Sequence, residues 1–219
     1  MKNPVRSLIV LLSLLCTIGL SLNARAQSAE AGAKKADMCI GCHGIPGYRA
    51  SFPEIYQVPM IAGQNAKYIV AALTEYKKGD RKHPTMRAIA ASLSDQDMAD
   101  LAAFYSTETK AEQVPAALPA NVPVDVAELL KKGNCASCHG ANLTTPIDPG
   151  YPKLAGQHAD YLYYALLAYQ TDNNPLIGRN NPIMMGMARP FTHAEVKRLA
   201  GYIASLPSEL KTVPQSRFR

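Results

Sequence analysis

One pattern is written twice along the chain, and it limits the fold to two copies of one unit. Cys39-Ile40-Gly41-Cys42-His43, followed by Gly44, returns 96 residues later as Cys135-Ala136-Ser137-Cys138-His139, followed by Gly140. Pro59-Met60-Ile61-Ala62-Gly63-Gln64 returns as Pro152-Lys153-Leu154-Ala155-Gly156-Gln157 at an offset of 93, so the intervening loop is three residues shorter in the second copy. Tyr68, Ile69, Leu73 and Tyr76 fall on Tyr161, Leu162, Leu166 and Tyr169. His83-Pro84-Thr85-Met86 falls on Asn181-Pro182-Ile183-Met184 at an offset of 98. Such internal self-similarity marks a repeated structural unit.

The five-residue cysteine pattern is the attachment signature of c-type haem. Two thiols bond the two vinyl groups of one porphyrin, and the following histidine supplies the proximal iron ligand. Two motifs imply two covalently bound haem c groups, held through Cys39, Cys42, Cys135 and Cys138, with His43 and His139 on iron.

Tyr68, Ile69, Leu73 and Tyr76 step by 1, 4 and 3, one face of an amphipathic helix, and Gly79 follows as a C-cap; Asn173-Asn174-Pro175 ends the second copy. Ser94-x-x-Asp97 and Thr192-x-x-Glu195 read as capping boxes. They open last helices that bury Met98, Leu101, Ala102 and Tyr105, or Val196, Leu199, Ala200 and Ile203. Each unit reads as helix, haem motif, loop, helix, methionine loop, helix. Strands are expected to be negligible, which makes the fold all-α.

Lys2 and Arg6, an apolar or small stretch over 8–22 and Ala24-Arg25-Ala26 read as a cleaved secretory signal over residues 1–26. Cys16 leaves with it, since Leu15 is not the small residue a lipoprotein site wants. Export to the periplasm would normally suggest disulfides, but haem consumes the four remaining cysteines. Removing Lys2, Arg6 and Arg25 turns 23 basic and 17 acidic residues into 20 and 17, about +3 against the precursor's +6. Neither half carries a dominant field, so charge points to no nucleic acid. The expected domains are 27–107 and 125–206, a linker over 108–124 stiffened by Pro115, Pro119 and Pro123, and an irregular or flexible tail over 207–219. Domains this small gain from a large apolar body to pack around.

A carrier haem takes a sixth ligand, and methionine sulfur raises the potential relative to a second histidine. Met86 and Met184 are the candidates, each after a Pro-x pair at the same repeat position. Met185, Met187 and His83 compete, although His83 has Asn181 as its counterpart. Met60 reads as packing, Met38 and Met98 as core, and His158 and His193 as surface or helix-start residues. Tyr68, Tyr76, Tyr161 and Tyr169 are haem-pocket packing or core, and Arg87, Arg179 or Arg189 could offset propionate charge. A four-thiolate zinc site would leave the histidines and methionines unexplained, and a thioredoxin-like pair would want a βαβ setting.

With the haem motifs, the two Ala-Gly-Gln segments and the Met-x-x-x-Ala segments leading to Leu93-Ser94 and Phe191-Thr192, the mature chain resembles the dihaem cytochrome c4 family. The resemblance implies two class-I cytochrome c domains related by a pseudo-twofold. Their haem edges would face across the interface, with Cys39, Cys42, His43 and Met86 on one haem and Cys135, Cys138, His139 and Met184 on the other. It implies a one-electron carrier rather than an enzyme. Electrons would come from a quinol-oxidising or dehydrogenase donor and go to a membrane-bound haem-copper oxidase through transient contacts at the haem edges. The long first loop over 45–58, and Phe191-Thr192 in place of Leu-Ser, leave partner choice open. The alternatives are a dihaem subunit of a dehydrogenase complex like flavocytochrome c, and a dihaem enzyme with an open haem. Potentials, the order of electron flow and oligomeric state are not written in the sequence.

Overall fold

The computed structural model describes residues 26–109 and 113–215. Residues 1–25 of the expected signal segment over 1–26, with Cys16, lie outside the described residues. Each unit is a set of short helices closed by its last one. The first holds α1 (Ala29–Lys35), α2 (Asp37–His43), α3 (Ala66–Lys78), α4 (Pro84–Ala91) and α5 (Asp95–Thr107). The second holds α6 (Val124–Lys132), α7 (Ala136–His139), α8 (Ala159–Gln170), α9 (Pro182–Ala188) and α10 (His193–Ala204). The methionine segments, expected as loops, are the short helices α4 and α9. Proline at their first position suits a helix start, where its missing N–H costs nothing.

Both last helices start on complete capping boxes, Ser94 with Asp97 and Thr192 with Glu195. Their inward faces are the centres of two separate cores. Met98, Leu101, Ala102 and Tyr105 join Ala36, Ile40, Ile69 and Leu93 in the first. Val196, Leu199, Ala200 and Ile203 join Val126, Leu130, Leu143 and Leu162 in the second. Gly79 closes α3 in the left-handed region, at φ 88°, where glycine carries no Cβ penalty. Met38 departs from the expected core and is exposed, because the short helix α2 turns Cys39 and Ile40 inward instead.

Strand structure among the described residues is limited to four two-residue pieces. β1 (Arg49–Ala50) and β2 (Tyr56–Gln57) form a hairpin inside the long first loop. β3 (Arg81–Lys82) pairs antiparallel with β4 (Gly178–Arg179), a ladder that joins the two units. The linker is not free of the second unit: Leu118 and Val122 pack on its core, and the Asn142 amide donates to the Pro115 carbonyl. The tail also returns. Leu210 is buried, Lys211 bridges to Ala62, and Val213 packs against the first core.

Candidate haem sites

Each cysteine motif sits at a corresponding place. Cys39, Cys42 and His43 lie on α2, while Cys135 caps α7 and Cys138 and His139 lie on it. All four thiols are free and half-buried. Burial pushes the Cys39 thiol up to about 11 and raises Cys135 too, so both stay protonated. Protonated, buried thiols are poor nucleophiles for disulfide exchange. No group of three or more His, Cys, Asp or Glu side chains converges among the described residues.

The histidines carry the test of fit to haem. His43 Nδ1 lies 2.8 Å from the Pro59 carbonyl oxygen, and His139 Nδ1 lies 2.9 Å from that of Pro152. A carbonyl only accepts, so each Nδ1 donates and each Nε2 keeps its lone pair for a metal. Burial lowers both pKa values, which holds the rings neutral as iron requires. Pro59 and Pro152 are repeat counterparts, so the two imidazoles are oriented by the same device.

The methionines are treated alike. Met86 is the third residue of α4, and its N–H donates to His83 Nδ1 at 3.3 Å; Met184 is the third of α9, and its N–H donates to Asn181 Oδ1 at 3.1 Å. Thus His83 is a helix cap equivalent to Asn181. Its Nδ1 is occupied by that bond, and the ring also makes a backbone hydrogen bond with Phe52. Met187 is exposed; Met185 is half-buried but one place beyond the capped position.

The Ala-Gly-Gln segments turn out to fasten the units together. Gln64 accepts from Lys153 N–H and donates to Lys153 C=O, at 2.9 and 3.0 Å. Gln157 does the same to Met60, at 3.0 and 2.9 Å. Met60 and Lys153 are repeat counterparts, so this exchange is reciprocal, as a pseudo-twofold demands. Gly63 and Gly156 stand before these glutamines at φ 83° and 70°. A Cβ on either would meet the returning tail, at Glu209 or Ser208.

Around the β3–β4 ladder lie Arg81, Arg179 and the four repeat tyrosines. Arg81 donates to the Tyr68 and Tyr161 hydroxyls, at 3.1 and 2.6 Å, and stacks over Tyr76. Arg179 donates to Tyr161 at 3.1 Å and faces Tyr169. Arg189 instead pairs with Asp172 at the surface, and Arg87 is exposed. Arg81 escaped the sequence reading. Its one signal was position: it stands five residues before Met86, as Arg179 stands five before Met184.

Two CxxCH units of this build, each with an imidazole aimed by a carbonyl, define a c-type cytochrome in duplicate, and the Cytochrome c family profile matches residues 29–107 and 124–207. The chain is 33% identical to cytochrome c4 of Stutzerimonas stutzeri over 90% of its own length and 98% of the relative's. It is 30% identical to a thiosulfate dehydrogenase electron acceptor of Stutzerimonas stutzeri strain A1501, covering 85% and 91%. The crystal structure of reduced recombinant cytochrome c4 from Pseudomonas stutzeri superposes with a TM-score of 0.60 at 29% identity, over 83% of this chain and all of that one. The chain belongs to the cytochrome c4 family. It is a dihaem electron-transfer protein, not an enzyme, and carries two covalently bound haem c groups.

Proposed function

We propose that the chain is exported to the periplasm after cleavage of residues 1–26 and shuttles single electrons through two His/Met haems. Cys39 and Cys42 attach the first haem and Cys135 and Cys138 the second. His43 with Met86, and His139 with Met184, supply the axial ligands. Bound haem supplies a one-electron ferric/ferrous couple. The chain's residues hold each imidazole neutral and aimed, cap the helix that presents each methionine, and pack the porphyrin away from water. With both axial positions filled, no open place remains for a substrate, which is the property of a carrier. The observation that carries this reading is the matched pair of supports: Pro59 and Pro152 carbonyls on the histidines, His83 and Asn181 caps on the methionine helices.

The far-red sulfur-to-iron absorption of the ferric holoprotein tests it. Its intensity should fit two haems, and Met86→Ala and Met184→Ala should each remove half of it and open one reduced haem to carbon monoxide. Retention of the full band in Met184→Ala would move the second ligand to Met185 or Met187.

The acceptor we propose is a membrane-bound haem-copper oxidase, with a quinol-oxidising complex as donor. The likeness to a thiosulfate dehydrogenase electron acceptor favours a second reading, in which a periplasmic dehydrogenase is the donor. Stopped-flow reduction of the purified protein by a thiosulfate dehydrogenase, beside its oxidation by oxidase-containing membranes, separates the two. Fast reduction by the dehydrogenase would replace the quinol donor.

A further inference from the structure

The two units have separate apolar cores, and much of what passes between them is polar. Lys67–Asp148 and Arg49–Asp160 cross the boundary through largely exposed side chains, and such pairs are worth little. The Gln64 and Gln157 exchanges replace bonds that the same groups would make to water, so their net contribution is modest. Units joined in this way move against one another by default, unless apolar contact fastens them.

Beyond α10 the chain leaves its own unit and lies along both Ala-Gly-Gln turns. Ser208 fills the space that a side chain on Gly156 would need, and the Glu209 carbonyl fills that beside Gly63. The Glu209 carboxylate pairs with Lys153, the residue whose backbone Gln64 holds. Leu210 is 2% exposed, and the Lys211 N–H donates to the Ala62 carbonyl of the first unit at 3.1 Å. Val213 packs on the first core, and the Gln215 amide meets Glu108 at the end of α5. A buried leucine thus sits between two residues that both touch the first unit.

We propose that residues 207–213 are a strap that fixes the second unit against the first, with Leu210 and Lys211 as positioning residues for electron transfer between the haems. This rests on the two-haem reading above. Transfer between two redox centres falls steeply as their separation grows. A carrier with one haem in each unit therefore passes an electron internally only while the units stay together. With the strap seated, the chain ties the units twice, through the linker and through the tail. With it released, the linker alone ties them, and the glutamine exchanges must hold the boundary without apolar support.

The test compares full-length holoproteins, with haem content measured first. Fewer than two haems per chain would be a failure of the dihaem reading; amide exchange, which needs no electron, still decides the strap. The Met60 and Lys153 N–H groups donate to Gln157 and Gln64 of the opposite unit, at 3.0 and 2.9 Å. Their hydrogen exchange therefore reports separation of the units. Leu210→Ser removes most of a buried apolar side chain and should speed exchange at both by about tenfold or more. Lys211→Pro deletes the N–H that Ala62 accepts and should act in the same direction, whereas Lys211→Arg keeps it and should match the parent. Amides inside α5 and α10 should keep the parent's protection. In the double variant Leu210→Ser/Lys211→Pro, electron exchange between the haems after pulsed reduction should lose its fast intramolecular phase. Both far-red methionine bands should stay, which separates a positioning role from damage to either haem site. Parent-like amide exchange in both single variants overturns the strap. Faster amide exchange with an unchanged electron phase overturns its role in transfer. Should the double variant not fold, Glu209→Lys sets two ammonium groups together at Lys153, releases the same segment from outside either core, and gives the same reading.

Discussion

In the first unit α1 crosses α5 with no side chain between the backbones at Gly32, where a Cβ would stand 2.0 Å from the Asp100 carbonyl oxygen. The second unit has Glu128 at that repeat position, exposed to solvent, and its α6 meets α10 through Val126 and Leu130. The polar contacts differ in the same sense. Asp100, 3% exposed, accepts from the Ser28 N–H, Lys35 Nζ and the Gln96 amide, each at 2.9 Å. The second unit carries Lys132–Glu195 and Arg198–Asp125 near or at its surface. One fold is therefore closed in two ways, by close backbone approach around a buried carboxylate and by a layer of apolar side chains rimmed with ion pairs. Damage at equivalent positions should consequently have very unequal effects.

The largest inequality is expected at the crossing itself. Gly32→Ala drives a methyl into backbone that cannot rotate away, and should cost the first unit about 3 kcal/mol or more. Glu128→Ala touches nothing buried and should stay within about 0.5 kcal/mol. Denaturant unfolding of the two holoproteins measures both, and equal midpoints would mean that α1 is not held against α5 as described.

Asp100→Asn should come next, at about 1–3 kcal/mol, since it weakens charge-assisted bonds to a nearly buried group. Lys35 and the Ser28 N–H hold the Asp100 carboxyl below the usual carboxylate range. A carboxyl so depressed contributes stability that is present above its unfolded value, about 3.9, and lost as pH falls through the folded one. The asparagine variant should thus show a shallower loss of stability on acidification than the parent. An unchanged acid limb would place the sensitivity on Asp97, which Lys35 also holds low.

What the sequence revealed and what it concealed divide along the range of the interactions. Capping boxes at Ser94 and Thr192 and the buried faces of α5 and α10 depend on neighbours three or four residues away, and local spacing was enough to find them. Met38 was misplaced because a run as short as α2 has no periodicity to assign its faces. Gln64, Gln157 and Arg81 gain their roles from the opposite unit, 80 to 97 residues away. Only repeat symmetry hints at such partners. The tail was unreadable for the same reason: Lys211 and Val213 are placed by Ala62 and the core of the first unit.

Smaller effects probe the methionine helices. His83→Ala removes a cap and should cost about 1 kcal/mol, whereas His83→Asn reproduces the second unit's solution and should cost much less. Thermal melts that read the first haem's far-red band give the answer, and a large loss in His83→Asn would show that the imidazole does something beyond capping.

The smallest effect is expected at the surface pairs of the second unit. Arg198 and Asp125 meet at 2.6 and 3.1 Å through two guanidinium nitrogens, yet both side chains are about half exposed. Solvent and salt screen such pairs, and holding two long side chains in one geometry costs entropy. Arg198→Ala should therefore change stability by about 0.2–1 kcal/mol, shrinking further in high salt. The same experiment sharpens the contrast with the first unit, because Asp100 lies where salt does not reach. Its contribution should survive the salt concentration that erases that of Arg198. If both respond alike to salt, then the buried carboxylate is wetter than its exposure indicates and the two crossings differ less than their residues suggest.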